Sequence, residues 1–531
     1  MLNTIPSILS AIGKPLLPGG AELGPFSAEL ILVGTIVAVL LVPLFTTRSN
    51  AITGLVSLAG LALAFISLFF VNSAGAGGRF QPILVSDSFA ILWKGLLLFF
   101  TMGVVLMWFS IASSTMHEGD GPEFFTLLLG ATLGMCFMSS TTNLLMLFMS
   151  VELASLPSYV LAGFRKTDRI GSEASLKYVL FGAATSAIMV YGLSMLYGLY
   201  GTLQVEELAQ HLATAHGANV PLIVGIAGIL VGVGFKISAV PLHFWCPDVF
   251  EGAGVDVSVF LSVASKGAGL TLLLRILMSM ANGAGFSASS GVLTGAAIVV
   301  GLLGAITATV GNTGALVQNN IKRLLAYSSI AHAGYMLCAL SLLVKTKNSD
   351  VAGDAAQAIL VYLAVYLFMN LGAFTVAGLI YRQTGSESIN DYARLGRRNP
   401  ILAACMFAFM VSLIGLPPFA GFFAKLKVMM VLGTNGGWWW ALVVVIGLNT
   451  VISLYYYVRV LRIMYLVDSS EPSLNVNPLG MLIAVVCAVM LLAMLVGYEP
   501  LDRLTSHHSH LKMPSAAANV AQPSAVADRG N

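Results

Sequence analysis

Long apolar runs separated by short polar connections make up most of the chain. Fourteen of them approach the roughly 20 residues needed to cross the hydrocarbon of a bilayer. They fall at 27–46, 52–72, 88–110, 122–138, 142–163, 175–199, 219–246, 257–280, 290–310, 325–344, 357–380, 399–432, 439–465 and 478–497. The pattern predicts an all-α polytopic membrane protein of about 14 transmembrane helices. Composition agrees, because only 9% of the 531 residues are charged, against about a quarter in a soluble domain. Mean hydropathy is +0.89.

Two runs are too long for one simple crossing. Pro221 to Cys246 would extend about 39 Å as a helix, and Ile401 to Leu432 about 48 Å. The first contains Gly232, Gly234, Lys236, Pro241 and His243; the second contains Gly415-Leu416-Pro417-Pro418, Gly421 and Lys425. Proline removes a backbone donor and clashes with the preceding turn. Both runs are therefore read as discontinuous helices, a device found at ion sites of transporters, where irregular backbone lines a cavity. Pro241 and Pro417 are 176 positions apart with four spans between them. A duplicated unit of about five helices, pairing segments four to eight with nine to thirteen, accounts for that spacing.

Basic residues give an orientation. Arg48, Arg165, Lys166, Arg169, Lys322, Arg323, Arg382, Arg394, Arg397, Arg398, Arg459 and Arg462 all fall on one side of the predicted membrane. Lys14, Arg79, Lys345 and Lys347 fall on the other. The excess of positive charge on cytoplasmic loops places the odd-numbered connections in the cytoplasm and both termini outside. The opening run to Leu23 lacks the basic start and small-residue cleavage site of a signal peptide. The tail beyond Tyr498, with His507, His508 and His510, reads as disordered and exposed rather than metal-binding. The formal net charge of +3 is too small to point to nucleic acid.

Five charges sit where charge is expensive: Glu152, Lys177, Lys236, Lys266 and Lys425. Each near a bilayer centre costs at least about 2.5–3.5 kcal/mol, and such residues are usually functional. Glu152 lies midway along segment five, and Lys177, opening segment six, is its expected partner. Lys266 has the small neighbours Ala264, Ser265, Gly267, Ala268 and Gly269, which leave room for water or a close helix. A lysine can release and regain its proton as its hydration changes; an arginine cannot. Arg275 is thus expected to snorkel or to neutralise a carboxylate. Lys94 and Lys427 are placed within reach of an interface. His243 and His332 are candidate links between proton sites. Four lysines and one carboxylate suit a proton wire better than a sodium site, with Glu152 and Lys177 gating one end, Lys236 and Lys266 in the middle and Lys425 leading onward.

The chain supplies no cofactor motif. Cys136, Cys246, Cys338, Cys405 and Cys487 are dispersed in apolar segments with no CxxC pair; they read as small buried hydrophobes, so iron–sulfur and zinc ligation have no support. There is no phosphate loop or dinucleotide fingerprint. Energy must come from an ion gradient or from partner subunits.

Three stretches carry a resemblance. They are Gly234-Phe-Lys236-Ile-Ser-Ala-Val-Pro241-Leu-His243-Phe-Trp245-Cys-Pro247-Asp248, Ile321-Lys322-Arg323-Leu-Leu-Ala-Tyr327-Ser328-Ser329-Ile-Ala-His332, and Gly415-Leu-Pro-Pro418-Phe-Ala-Gly421-Phe-Phe-Ala-Lys425. They resemble the antiporter-like membrane subunits of respiratory complex I, the NADH–quinone oxidoreductase. Moderate length and the contexts Val151-Glu152-Leu153 and Leu176-Lys177-Tyr178 favour the subunit N branch. The resemblance implies two inverted five-helix bundles, at 122–280 and 290–465. They are preceded by three helices within 1–121 and followed by a final helix within 466–498 and a tail at 499–531. It implies proton-transfer roles for Glu152, Lys177, Lys236, Lys266 and Lys425, with His243, His332 and Lys322 as further relay candidates. NADH, flavin, iron–sulfur clusters and quinone are then expected in partner subunits, and none in this chain. Partners are other membrane-arm subunits, including another antiporter-like subunit and small membrane subunits, and lipid. Alternatives are a subunit of a multisubunit sodium/proton antiporter, a structural scaffold, or a related oxidoreductase using ferredoxin or F420.

Overall fold

A computed structural model describes residues 20–45, 49–71, 83–111, 116–117, 119–165, 168–214, 219–283, 291–345, 349–468, 473–474 and 476–509. The described residues form helices and connections, with no strand beyond isolated bridges such as Asn143 to Gln204. The principal helices are α1 (Ser27–Phe45), α2 (Asn50–Ser67), α3 (Ser88–Ile111), α4 (Gly121–Ser140), α5 (Leu144–Ala162), α6 (Arg169–Tyr200) and α7 (Val205–Thr214). Then come α8 (Val220–Ile237), α9 (Trp245–Gly252), α10 (Val255–Phe260), α11 (Lys266–Gly283), α12 (Gly291–Leu316) and α13 (Ile321–Lys345). The last are α14 (Ser349–Thr384), α15 (Pro400–Ile414), α16 (Ala420–Thr434), α17 (Trp439–Leu466), α18 (Pro478–Val496) and α19 (Tyr498–Ser509).

Among the described residues, thirteen helical segments are long and apolar enough to span a membrane, and α15 is a shorter apolar helix. Together α15 and α16 occupy the predicted run at 399–432. The helix starts follow local chemistry. Asn143, Asp168, Asn219, Asn399 and Asn477 each cap a helix by accepting a backbone N–H with the side chain, which satisfies one of the donors left over at a helix start.

Both expected breaks are present. The first half-helix α8 ends at Ile237, and Ser238 leaves it in the left-handed region at φ +63°. A turn through cis Val240–Pro241 then leads to α9. The helix α15 ends at Gly415, φ +84°, whose N–H caps Val411 and Ser412 carbonyls. Glycine fits that position because it lacks the Cβ that penalises positive φ. Cis Pro417–Pro418 follows before α16. A third irregularity was not visible in the pattern: Leu261–Ser265 forms a π-helical turn immediately before Lys266. Such turns often mark functional sites.

The central stretches of the spans Val255–Met280 and Val351–Thr384 are enclosed by other helices, whereas α1 and α18 lie at the periphery. Large apolar residues such as Leu44, Phe45, Ile223, Val451 and Val489 are exposed, as lipid-facing positions should be. Two expectations change. The connection after α6 contains an amphipathic helix, α7, which buries Val205, Leu208 and Leu212. The tail opens not as coil but as α19, whose Thr505 is buried; its side chains from His507 on, and residues 510–531, lie outside what is described. The expectations for Lys14, Arg48, Arg79, Lys166 and Lys347 also lie outside the described residues.

Candidate functional site

Lys236, Lys266 and Lys425 are only 0%, 2% and 5% exposed. Lys236 sits in the last turn of α8 and donates to Ser155 Oγ on α5 at 3.1 Å. Lys266 starts α11 after the π turn; it donates to Ser329 Oγ on α13 and to Cys246 Sγ on α9 at 3.2 Å. Its ammonium also lies 5.2 Å from the Phe250 ring centre. Lys425, in the second turn of α16, reaches back to the carbonyls of Leu413 and Ile414 at 3.0 and 2.8 Å. These carbonyls belong to the C-terminal end of α15, where partners are lacking and the helix dipole is negative.

None of these three lysines is among the ion pairs found between described residues within 4.0 Å. Hydroxyls, a thiol and carbonyl dipoles hold them instead. The other buried or half-buried cations differ. Lys94 is enclosed and bound to Glu29 at 2.5 Å, so it does not reach an interface: α1 brings a carboxylate to it inside the protein. Arg275 makes a bidentate pair with Asp87 at 2.5 and 2.7 Å and donates to Ser139 O at 2.7 Å, as neutralisation of a carboxylate requires. Lys427 pairs with Asp502.

Glu152 and Lys177 do not meet. Glu152 accepts a hydrogen bond from Ser186, whereas Lys177 binds Glu173 at 2.9 Å and Asp248 at 2.7 Å. Ser186 and Lys177 are both on α6 and nine positions apart, about 13.5 Å along a helix. Opening the same helix did not bring Lys177 to the depth of Glu152. Lys236 lies within electrostatic reach of Glu152. Ser155, which receives the Lys236 hydrogen bond, is one turn from Glu152 on α5. Glu152 is half-buried and lines an open groove of about 600 Å³ with Phe148, Ser186, Tyr191 and Ser194.

Further links run through α11 and α13. A Cβ on Gly269 would stand 3.4 Å from Lys236 Cβ, so α11 passes close to the first broken helix one turn beyond Lys266. His243 is buried and within electrostatic reach of Lys266. His332 is buried, shares a 2.7 Å hydrogen bond between Nδ1 and Tyr362 Oη, and lies within electrostatic reach of both Lys266 and Lys425. Lys425 Nζ stands 4.9 Å from the Tyr335 ring centre. Electrostatic reach thus links Glu152 to Lys236, and His332 to both Lys266 and Lys425.

Lys322 is in a separate cluster. It donates to the carbonyls of Glu251 and Ala253 at 2.7 and 2.8 Å and pairs with Glu387 at 2.6 Å. Arg323 binds Asp248 and Glu251, and Asp248 joins this cluster to Lys177. Sequence reasoning missed Asp248, Ser155, Ser329 and Tyr362. Asp248 had a signal, as a carboxylate following a break; the hydroxyls had none. Among the described residues no group of three or more His, Cys, Asp and Glu could hold a metal ion.

The transmembrane family described as NADH:quinone oxidoreductase/Mrp antiporter matches residues 141–453. NADH-quinone oxidoreductase subunit N of Anaeromyxobacter sp. (strain Fw109-5) is 41% identical over 461 residues, 83% of this chain and 87% of the relative. A chain of respiratory complex I from Thermus thermophilus superposes with a TM-score of 0.71 at 31% identity, covering 90% of this chain and 99% of its own length. A chain of the Mrp complex from Dietzia sp. DQ12-45-1b shares the fold, with a TM-score of 0.76 at 19% identity over 92% of this chain and 97% of its own. With these matches and the three motifs on its broken helices and α13, the chain belongs to the subunit N family of NADH–quinone oxidoreductase, among the antiporter-like membrane subunits of respiratory complex I.

Proposed function

We propose that the chain carries protons through the membrane arm of an NADH–quinone oxidoreductase along Glu152, Lys236, Lys266, His332 and Lys425. The observation that carries this reading is the contrast in partners. Lys94, Arg275, Lys322 and Lys427 are bound to carboxylates; Lys236, Lys266 and Lys425 rest on neutral dipoles. A lysine locked to a carboxylate keeps its proton. One held by hydroxyls and carbonyls can exchange it when water enters or a neighbour changes charge. Water between the lysines completes the wire.

In this reading the two bundles, 122–280 and 290–465, each contribute one broken helix. Glu152 begins the row, with its groove receiving a transmembrane helix of a small membrane subunit. Another antiporter-like subunit docks toward the Lys425 end. His243 assists Lys266. Lys177 acts at a mouth on the Asp248 cluster rather than as the mate of Glu152, and Lys322 braces that mouth. Positive-inside topology places the cluster in the cytoplasm and both termini in the periplasm. NADH, flavin, iron–sulfur clusters and quinone are bound by other subunits, whose redox chemistry drives the translocase step.

Purification from native membranes tests the assignment. The expected result is co-purification with the other membrane-arm subunits and NADH–quinone reductase activity coupled to proton movement. Cation–proton exchange by a parent complex lacking quinone reductase activity would favour the antiporter alternative. In assembled complexes, Glu152→Ala and Lys266→Ala are expected to reduce pumping with little loss of subunits. Normal pumping in both would leave the chain a scaffold.

A further inference from the structure

The helix α19 lies outside both bundles, and the proton path makes no use of it. It nevertheless touches the second broken helix on both sides of Lys425. Asp502 forms an ion pair with Lys427, and the Tyr498 ring lies 5.9 Å from the Lys427 ammonium. The same Tyr498 packs on Phe423, with ring centres 5.1 Å apart. Phe423 and Lys427 are four residues apart and share a face of α16, while Lys425 projects from the opposite face. The helix is thus gripped from behind its functional side chain.

The other side of α19 is fixed to α14. Gln357 donates from Nε2 to the Asp502 carbonyl at 2.8 Å and to Thr505 Oγ1 at 3.4 Å. Five residues after Gln357, Tyr362 holds His332. The helix α19 therefore spans the two elements whose relative placement sets the separation of Lys425 and His332. The need for such a brace is structural. In the chain, the half-helix α16 follows α15 through the irregular stretch 415–419. Lys425 must keep two backbone carbonyls within hydrogen-bond distance, and a small rotation of α16 would remove it from both.

We infer that α19 is a clamp, with Asp502 as a positioning residue that holds α16 through Lys427 and so sets the placement of Lys425 against α15 and beside His332. This inference rests on the reading of Lys425 as a proton-transfer group.

The test uses the assembled complex in vesicles, measuring protons moved per quinone reduced and the pH profile of quinone reduction. Asp502→Ala is expected to lower the proton ratio to about half or less, since small displacements from a productive geometry cost large factors in rate, and to move the pH profile. Asp502→Glu should restore most of the ratio, as should the exchange of charges in Lys427→Asp with Asp502→Lys. A merely structural anchor would change the amount of complex but not the ratio or the profile of what assembles. An unchanged ratio and profile in assembled Asp502→Ala complexes overturns the inference. Should that variant fail to assemble, Gln357→Leu decides. It cuts the α14 side of the brace and leaves Lys427 paired, and an unchanged ratio there overturns the inference too. Lys425→Ala separates the two readings: if it pumps normally, the proton path is wrong, whereas if it alone fails to pump, only the clamp is wrong.

Discussion

The two broken helices bring a lysine to the same electrostatic location by opposite routes. In the first, Lys236 precedes the break and lies in the last turn of α8. In the second, Lys425 follows the break and folds back onto the last carbonyls of α15. Both lysines thereby belong to the C-terminal end of an incoming half-helix, where the dipole favours a cation: Lys236 through its place in the last turn, Lys425 through its ammonium. The difference is in what else holds them. Lys236 leans on a hydroxyl of a neighbouring helix, while Lys425 is held by backbone that the break itself has freed. A mismatch in sequence register between the two halves is therefore no mismatch in chemistry.

The largest effects come from changing the cations themselves. Lys236→Ala and Lys425→Ala are each expected to cut proton movement by about a hundredfold or more, the scale of losing one positioned acid–base group. Lys425→Arg sharpens the comparison: it retains a cation for the α15 carbonyls but cannot give up its proton. Assembly should survive and pumping should not, as subunit content and vesicle acidification would show.

Glycines packed beside the two breaks test geometry with a smaller effect. A Cβ on Gly421 would collide with the Ser412 carbonyl, whereas a Cβ on Gly269 would come 2.9 Å from Ile237 Cγ1. Backbone yields less readily than the end of a side chain. Gly421→Ala should therefore destabilise more than Gly269→Ala, within the roughly 1–3 kcal/mol typical of overpacking. Thermal unfolding of the two assembled variants measures the order.

The smallest effect separates the two supports. Ser155 still donates to Val151 O at 2.6 Å when Lys236 is removed, but removal of Lys425 leaves the end of α15 without its cation. Lys425→Leu should lower stability more than Lys236→Leu, by roughly 1 kcal/mol. Equal melting temperatures would contradict the distinction.

Much of this architecture was legible because span length and proline position are local properties. The run at 88–110 became Ser88–Ile111, and Gly415-Leu-Pro-Pro418 became the second break. Partner choice is not local. Lys177 and Glu152 were matched through the order of their helices, yet depth along α6 assigns Ser186 to Glu152 and Asp248 to Lys177. Lys94 looked peripheral because the carboxylate that buries it lies 65 positions earlier, on α1. The π turn before Lys266 left no periodic signal, since it depends on enclosed packing; α19 opens with the helical spacing Tyr498, Leu501 and Leu504, which the low-complexity tail that follows obscured.

In the proposed path Lys266 stands between the two broken helices, so its variant Lys266→Arg tests the account most directly. Protons moved per quinone reduced should be measured in fully assembled complexes carrying that substitution. Loss of most of the proton ratio is the predicted result, because the charge remains while its exchange is blocked. A wild-type ratio would contradict the account, since a permanently charged residue in the middle of the row could not pass a proton along it.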